Sequence, residues 1–353
     1  MTILFAILLF SFLIFIHELG HFVAAKLSGV QVNEFSMFMG PAIFKKQKGE
    51  TLYSIRCIPI GGYCAMEGED GESDNPRAFG KVAWWKRLII LIAGSGMNFI
   101  AGVLIMFILF IPVEEIATPV IRDFESYSTV NGENGLQVGD RLLELDGEKI
   151  YTLSDIDLIL MLNPGDVHDV ILERSGQRVI LSDFTMQRHT VTDEQGNETR
   201  LFGMNFSTQK ATFPVKVQQA WYNCLNTIRN VRLSLQMLFT GQAGLRDMSG
   251  PVGIVKIMSD SAAAAEETLD AVMNMLYFGG FLAINLAVMN LLPFPALDGG
   301  RVVCLLITTA VEAIIGKKIN PKFEGYLHGA GMILLLGLMA IIMFKDIFVI
   351  VKG

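Results

Sequence analysis

Residues 3–21 read ILFAILLFSFLIFIHELGH, an apolar run that ends in His17, Glu18 and His21. The run is long enough to lie in a lipid bilayer as a helix. Residues four apart on a helix share one face, so His17 and His21 can present two imidazoles to one metal ion. Glu18 follows His17 directly and can take a proton from a water molecule at that metal. The pattern predicts a metal centre in a membrane helix.

The His-Glu-x-x-His pattern is typical of zinc peptidases, in which the histidines bind the metal and the glutamate is the general base. Five-residue patterns also arise by chance, and the histidines would then only reach from a helix end towards lipid headgroups. The predicted depth favours the metal. Ionisable groups are costly inside a bilayer, so three of them together in one apolar helix indicate a functional site.

The composition is that of a membrane protein. Of its 353 residues, 52% are hydrophobic and 18% charged, and the mean hydropathy is +0.46. These values favour a polytopic α-helical membrane protein over a soluble enzyme. The formal net charge of −7 and the lack of a basic block in the sequence argue against nucleic-acid binding. The four cysteines have no C-x-x-C spacing, which argues against a disulfide framework and a thiolate zinc site.

Four apolar segments have about the length of a membrane span: Thr2 to Ala25, Leu88 to Ile111, Val272 to Ala296 and Gly329 to Val351. The first lacks the basic start and cleavage site of a signal peptide, and we expect it to be retained. Lysine and arginine are concentrated between the first two spans and between the last two. The positive-inside rule therefore places both termini and the long middle segment outside the cytoplasm. His17 lies about 20 Å along its helix, towards the cytoplasmic side.

A catalytic zinc ion usually has three protein ligands, so the two histidines need a partner from elsewhere in the chain. The best candidate is Asp298, in the stretch 290–300, which reads NLLPFPALDGG. Its two prolines disrupt the end of the third span, and broken helix at membrane depth is tolerated where it lines a site. Alone, Asp298 would be a charge at a helix end. At the same predicted depth as His17 and His21, it is the expected third ligand.

The two motifs in this order resemble the site-2 protease family of intramembrane zinc metalloproteases, and within it the bacterial regulator of sigma-E protease type. The similarity extends over essentially the whole chain. It includes Ile60-Gly61-Gly62-Tyr63 and Met248-Ser249-Gly250-Pro251-Val252-Gly253. The resemblance implies a multi-pass protein of the bacterial cell membrane that binds Zn²⁺ through His17, His21 and Asp298.

The resemblance also implies roles for further residues. Glu18 would be the catalytic base, and Asn290 and Pro293 would hold the substrate strand near the metal. The stretch 94–98, GSGMN, stands where many relatives carry A-G-P-x-x-N, with a serine in place of the usual proline. Asn98 would either contact another span or be a packed polar residue.

The segment 33–63 has β-prone runs on either side of a basic turn at Lys45 to Gly49, and it predicts a hairpin. The resemblance implies a membrane-associated β-loop at this place. Such a hairpin either adds unwound substrate to an exposed edge as another strand or merely covers the site. Both alternatives are compatible with the sequence.

Residues 117–212 resemble one inserted extracytoplasmic PDZ domain. Gly139-Asp140 and Asp146-Gly147 provide turns around an alternating strand. Ser154 to Leu162 would be the helix beside the peptide groove. The domain would either capture a peptide ligand or exclude substrates with bulky ectodomains.

The predicted organisation has four parts: an N-terminal membrane part (1–111), the PDZ domain (117–212), an amphipathic segment and linker (213–270) and a C-terminal membrane part (271–353). Within the linker, Val215 to Leu245 has the apolar spacing of an amphipathic helix. This helix would lie on the outer membrane surface or pack under the PDZ domain. The remaining histidines, His168, His189 and His328, have no ligand partner at useful spacing and are interpreted as surface or local hydrogen-bonding residues.

The sequence thus predicts an intramembrane zinc endopeptidase that cleaves transmembrane segments of single-pass proteins. By resemblance, its substrates are anti-sigma factors already trimmed outside the membrane, or remnant signal peptides. One alternative is a catalytically inactive membrane scaffold with a PDZ domain, against which the retained Glu18 argues. The other is a metal transporter, which would need polar residues across the other half of the bilayer. The run Ile3 to Ile16 offers almost none.

Overall fold

The structure is a computed structural model that describes residues 2–69, 71, 73–192, 198–244, 248–265, 268–316 and 322–352. Its elements in chain order are α1 (Thr2–Ser28), β1 (Val32–Lys48), β2 (Thr51–Met66), α2 (Trp84–Leu109), β3 (Glu115–Phe124), β4 (Arg141–Leu145), β5 (Glu148–Lys149), α3 (Leu153–Leu162), β6 (Val167–Arg174), β7 (Gln177–Thr185), β8 (His189–Thr192), β9 (Glu198–Leu201), β10 (Met204–Lys210), α4 (Phe213–Thr240), α5 (Pro251–Ala263), α6 (Thr268–Asn290), α7 (Asp298–Ile315) and α8 (Lys322–Lys352). They form two compact units, one of residues 1–109 and 227–353 and the other of residues 110–226.

Within the described residues, four helices are long and apolar enough to cross a membrane: α1, α2, α6 and α8. Each coincides with one of the four predicted spans, so a multi-pass helical protein is confirmed at this level. Large apolar side chains remain exposed along these helices, among them Ile333 at 75% and Phe344 at 70%. A helix that is apolar on all sides is expected where its outer face meets lipid.

The third span ends earlier than predicted. The sequence placed its end at Ala296, whereas α6 ends at Asn290 and residues 291–297 form a loop. Pro293 and Pro295 explain the difference, because proline lacks the amide hydrogen that a continuing helix needs. The chain then enters α7 at Asp298. No helix was predicted here from the sequence.

Glycines allow the spans to cross closely. A Cβ atom on Gly20 of α1 would lie 2.7 Å from the carbonyl carbon of Ala93 in α2. A Cβ atom on Gly102 of α2 would lie 3.2 Å from the carbonyl oxygen of Gly280 in α6. Small residues at membrane helix crossings let backbones approach each other, which gains van der Waals contact. The Gly20 crossing brings the C-terminal half of α1 directly against α2.

The segment predicted as a hairpin forms one, with β1 and β2 paired antiparallel. It is longer than predicted, and its register shifts several times, including around Met39 and Ala42. Phe38, Gly40 and Gly61 have positive φ angles of 72°, 84° and 80°. Such bulges bend a strand pair and increase its twist. Inside the hairpin, Arg56 donates to Glu34 Oε1 at 2.7 Å and to the Gly40 carbonyl at 2.7 Å.

The unit of residues 110–226 has a sheet with the strand order β10-β3-β4-β6-β7, and β5 pairs with β4. One face of the sheet and helix α3 share a core that includes Ile121, Leu142, Ile159 and Leu172. Helix α3 begins with a capping box between Thr152 and Asp155. β8 and β9 form a separate antiparallel pair.

The predicted amphipathic helix is present as α4, which ends at Thr240; Leu245 lies outside the described residues. Helix α5 was not predicted. It begins at Pro251, and the amides of Gly250 and Gly253 donate to Asp346 Oδ2 of α8 at 2.8 and 2.9 Å. A carboxylate at a helix N-terminus satisfies amides that have no partner within the helix. The stretch from Ser249 to Gly253 thus connects the start of α5 to the last span through hydrogen bonds.

Candidate metal centre

Three side chains predicted as ligands meet at one point. His17 Nε2 and His21 Nε2 lie 3.2 Å apart. Asp298 Oδ2, at the first residue of α7, lies 3.1 Å from His17 Nε2 and 3.3 Å from His21 Nε2. The ligand atoms of all three lie within 4.8 Å of one another. Helix α1 brings the histidines together by their four-residue spacing, and the loop after α6 brings Asp298 to them.

The donor set fits a zinc ion. Asp298 Oδ2 is buried, and among the described residues it has no hydrogen-bond partner of suitable geometry. Two imidazole nitrogens and one carboxylate oxygen are ligands that zinc prefers, and three protein ligands leave a coordination position open. A bound cation would explain why three atoms with lone pairs converge in a buried place.

His21 is held in the orientation that a metal ligand requires. Its Nδ1 lies 2.8 Å from the backbone oxygen of Ile90 in α2. A carbonyl only accepts hydrogen bonds, so Nδ1 carries the proton and Nε2 keeps its lone pair towards the cluster. Metal-binding histidines commonly donate their other ring N–H in this way, which fixes the tautomer and the ring orientation.

Asn98 of α2 contacts the other histidine. Its amide nitrogen lies 3.4 Å from His17 Nδ1, and its Oδ1 is buried without a hydrogen-bond partner among the described residues. An amide that is turned by 180° exchanges these two atoms. His17 Nδ1–H can then donate to the amide oxygen, as His21 does to Ile90. Of the two alternatives left open by the sequence, the contact between spans is the one observed.

Gly94 leaves room for the imidazoles. A Cβ atom on this residue would clash with His21 Nε2 and would lie 2.8 Å from His17 Cε1. Any larger residue here would push into the space where the two imidazoles meet. The GSGMN stretch of α2 therefore contributes a glycine that makes space and an asparagine that contacts His17.

Asp298 reaches the histidines because its loop is unusually compact. A Cβ atom on Gly299 or Gly300 would collide with the backbone oxygens of Leu291 and Phe294, respectively. The two glycines therefore let the start of α7 fold back against the loop. Ala296 has a φ of +81°, a left-handed conformation that is uncommon for alanine.

The two predicted substrate-binding residues lie at the end of α6 and on the loop that follows it. Asn290 is the last residue of α6 and is half-buried, and Pro293 is exposed. Neither belongs to the ligand cluster. The sequence predicts His328 of α8 to be a surface or local hydrogen-bonding residue, and it does form a hydrogen bond, although with a residue distant in the chain. The His328 side chain is 12% exposed, and its Nδ1 accepts a hydrogen bond of 3.0 Å from the amide of Ala296.

Glu18 lies between the ligand cluster and the hairpin. The backbone of Cys64 in β2 lies near its carboxylate. A Cβ atom on Gly62 would lie 3.5 Å from Glu18 Cγ and 3.1 Å from the backbone carbonyl oxygen of Ser36. The Gly61-Gly62 stretch thus runs close beside the predicted base. Sequence reasoning missed the Cys64 backbone, as it missed Ile90 and His328, because backbone and long-range contacts leave no local pattern.

The chain is similar to known proteins over nearly its whole length. The sequence profile of peptidase family M50 matches residues 5–338. A protein of Clostridium acetobutylicum named as a zinc metalloprotease is 36% identical, and the match covers 98% of this chain and 97% of the relative. The regulator of sigma-W protease RasP of Bacillus subtilis is 29% identical, with 98% of each chain covered. The zinc metalloprotease RasP of Oceanobacillus iheyensis is also 29% identical, with the same coverage.

Proposed function

Because the chain belongs to peptidase family M50 and is a zinc metalloprotease of the site-2 protease type, we propose that it cleaves peptide bonds within transmembrane segments of single-pass membrane proteins. One observation carries the proposal. The side chains of His17, His21 and Asp298 converge at one point. The histidines belong to a helix that is long and apolar enough to span a membrane, and Asp298 follows the loop at the end of another such helix. A peptidase centre built there acts on chains that lie in the membrane.

The proposed chemistry assigns one role to each residue. His17, His21 and Asp298 hold zinc, which when bound polarises a carbonyl group and lowers the pKa of water towards neutrality. Glu18 takes a proton from the attacking water and returns it to the leaving amine. The backbone at Gly62 lies close to the side chain of Glu18 and would help to keep the base beside the cluster.

A transmembrane substrate must unwind before it is cut, because its helical peptide bonds are shielded by their own hydrogen bonds. The β1–β2 hairpin offers strand edges to which an extended backbone can add. Its Gly61-Gly62 stretch lies beside Glu18, which places such an edge within reach of the site. Asn290, at the end of α6, and Pro293, on the loop before Asp298, are proposed to hold the same substrate strand.

The proposed substrate class is that of anti-sigma factors already trimmed outside the membrane, or remnant signal peptides. The name of the Bacillus relative, regulator of sigma-W protease, supports the first group. Both kinds of substrate are single-pass segments without a large remaining ectodomain.

The proposed topology has both termini and residues 110–226 outside the cytoplasm, with the metal centre towards the cytoplasmic side. The clustering of cations between the first two spans and between the last two supports it.

We also propose that residues 117–212 form a PDZ domain. β10 is an edge strand of its sheet, and Met204 and Phe206 on it pack on the core that α3 shares. An edge strand beside a helix can add a peptide as a further strand.

Thiol labelling of intact cells tests both parts of this assignment. Asp157→Cys, on the exposed face of α3, should react with a membrane-impermeant maleimide added from outside. The exposed native Cys57 of the hairpin should react only after the cells are opened, and it serves as the internal control. A peptide with a free C-terminal carboxylate should slow the labelling of Thr208→Cys on β10. Labelling of Cys57 from outside would reverse the topology, and labelling of Thr208→Cys that the peptide leaves unchanged would count against the groove.

The proposed activity is tested with the purified protein in proteoliposomes that hold a tagged single-pass substrate. We expect a cut within the transmembrane segment, loss of cleavage to background with a zinc chelator, and recovery when zinc is added back. A matched substrate whose transmembrane segment is replaced by leucines should be cut more slowly, because leucine favours the helix that must unwind. Mass spectrometry locates the cut, and a cut outside the membrane segment would contradict the proposal.

A further inference from the structure

The loop that carries Asp298 has a strained residue two positions before it. Ala296 adopts a φ of +81°, which places the side chain of an L-residue close to the following carbonyl oxygen. Such conformations persist only where the surroundings hold them, and they concentrate at functional sites. Relaxation of Ala296 to a right-handed conformation would redirect the chain immediately before the proposed third ligand.

One hydrogen bond holds Ala296 from outside the loop. Its backbone N–H donates to His328 Nδ1 of α8 at 3.0 Å. A ring nitrogen that accepts a hydrogen bond is unprotonated, so the proton of the neutral ring is on Nε2. That nitrogen lies 3.8 Å from Glu324 Oε1, one helical turn away. His328 therefore presents an acceptor to the loop from a rigid membrane helix, with its ring largely buried.

The same face of α8 also approaches the loop before Asp298 at a second position. Gly331 lies three residues after His328 and therefore on the same face of α8. A Cβ atom on Gly331 would lie 2.7 Å from the carbonyl carbon of Pro295. The glycine lets α8 approach the loop closely enough for the His328 bond to form. The loop is thus fixed by α8 on one side and by Gly299 and Gly300 on the other.

We propose that His328 is a positioning residue of the metal centre: its Nδ1 holds the turn at Ala296 that directs Asp298 towards His17 and His21. The inference rests on the proposed role of Asp298 as a zinc ligand. It gives His328 a function in metal binding without making it a ligand. A histidine that only filled space between α8 and the loop would be replaceable by any apolar side chain of similar size.

Two substitutions in the full chain separate these roles. His328→Asn keeps an acceptor near the position of Nδ1, whereas His328→Phe keeps the ring shape and removes the acceptor. We expect His328→Phe to weaken zinc binding about 10–100-fold, the usual effect of losing a contact that orients a ligand. His328→Asn should stay within about threefold of the wild type. Competition with a zinc indicator measures the affinity, and the visible spectrum of the Co²⁺-loaded protein reports the ligand geometry.

A change in the loop itself should rescue the first substitution. Glycine adopts a positive φ without strain, so Ala296→Gly should restore part of the zinc affinity when it is added to His328→Phe. Thermal unfolding in detergent shows whether each variant is folded, and His328→Leu replaces His328→Phe if the latter is not. Failure of both to fold would overturn the proposal, because the bond would then support the fold rather than the ligand.

The remaining outcomes are distinct. Wild-type zinc affinity and an unchanged Co²⁺ spectrum in His328→Phe would overturn the positioning role. Equal weakening in His328→Phe and His328→Asn would do the same, because the acceptor would then not be the cause. Equal zinc affinity in Asp298→Ala and the wild type would instead refute the proposed third ligand, and with it the premise of this inference.

Discussion

Glu18→Gln is expected to abolish cleavage of a single-pass substrate while zinc remains bound at the wild-type level. The amide has nearly the shape of the carboxylate and can occupy the same place beside the hairpin. It cannot take a proton from water. General acid–base catalysis typically contributes about 10²–10⁴-fold to a rate, and we expect a loss of at least this size. Glu18 is not in the ligand cluster, so zinc content should not change.

Glu50→Gln is the matched control for this substitution. Glu50 lies in the hairpin turn, where hydrogen bonds from Arg77 and Lys26 lower the pKa of its carboxyl group to about 2. Ion pairs of this exposed kind contribute little to stability, so the variant should cleave at nearly the wild-type rate. Initial rates in proteoliposomes and zinc content per protein are measured for all three proteins. Equal cleavage by Glu18→Gln and the wild type would remove Glu18 from the mechanism. If Glu18→Gln loses both zinc and cleavage, Glu18 instead helps to hold the metal.

The parts of the site that follow local periodicity could be predicted from the sequence. The spacing of His17 and His21 fixes their common helix face wherever the chain is helical, and an apolar run of this length strongly favours a helix in lipid. The prolines of the stretch 290–300 indicated a break in the third span. The structure has this break, although it begins at Asn290 rather than beyond Pro295.

The contacts that orient the ligands could not be predicted. The bond of His21 to the Ile90 carbonyl spans 69 residues, the contact of His17 with Asn98 spans 81, and the bond of Ala296 to His328 spans 32. Each depends on which helices become neighbours, and no periodicity in the chain encodes that. A glycine such as Gly94 has the same appearance in the sequence whether it faces lipid or two imidazoles.

The β elements show the same division. Turn residues predicted a hairpin at residues 33–63, but its repeated register shifts depend on backbone conformations at Phe38 and Gly61 that composition does not specify. In residues 110–226, the alternating strand Arg141–Leu145 was visible in the sequence. The position of β10 at the edge of the sheet was not, because strand order is set by pairing between distant segments.

Asp298→Ala is expected to lower zinc affinity more than any other single change to the carboxylates of this chain. The substitution removes one of three protein ligands and leaves two neutral imidazoles, a set too small for a typical catalytic zinc site. We expect a loss greater than the roughly 10–100-fold caused by removing a contact that only orients a ligand. Cleavage should fall with zinc content. The substitution also removes the contacts of Asp298 Oδ2 with His17 and His21, so folding has to be measured beside zinc affinity.

Glu312→Gln, in the last turn of the same helix α7, is the matched control and should bind zinc like the wild type. Zinc affinity is measured by competition with an indicator, and folding by thermal unfolding in detergent. The comparison with Glu18→Gln separates the two functions of the site, since one variant should lose activity with zinc bound and the other because zinc is lost. Unchanged zinc affinity in a folded Asp298→Ala protein would show that the third ligand comes from another residue.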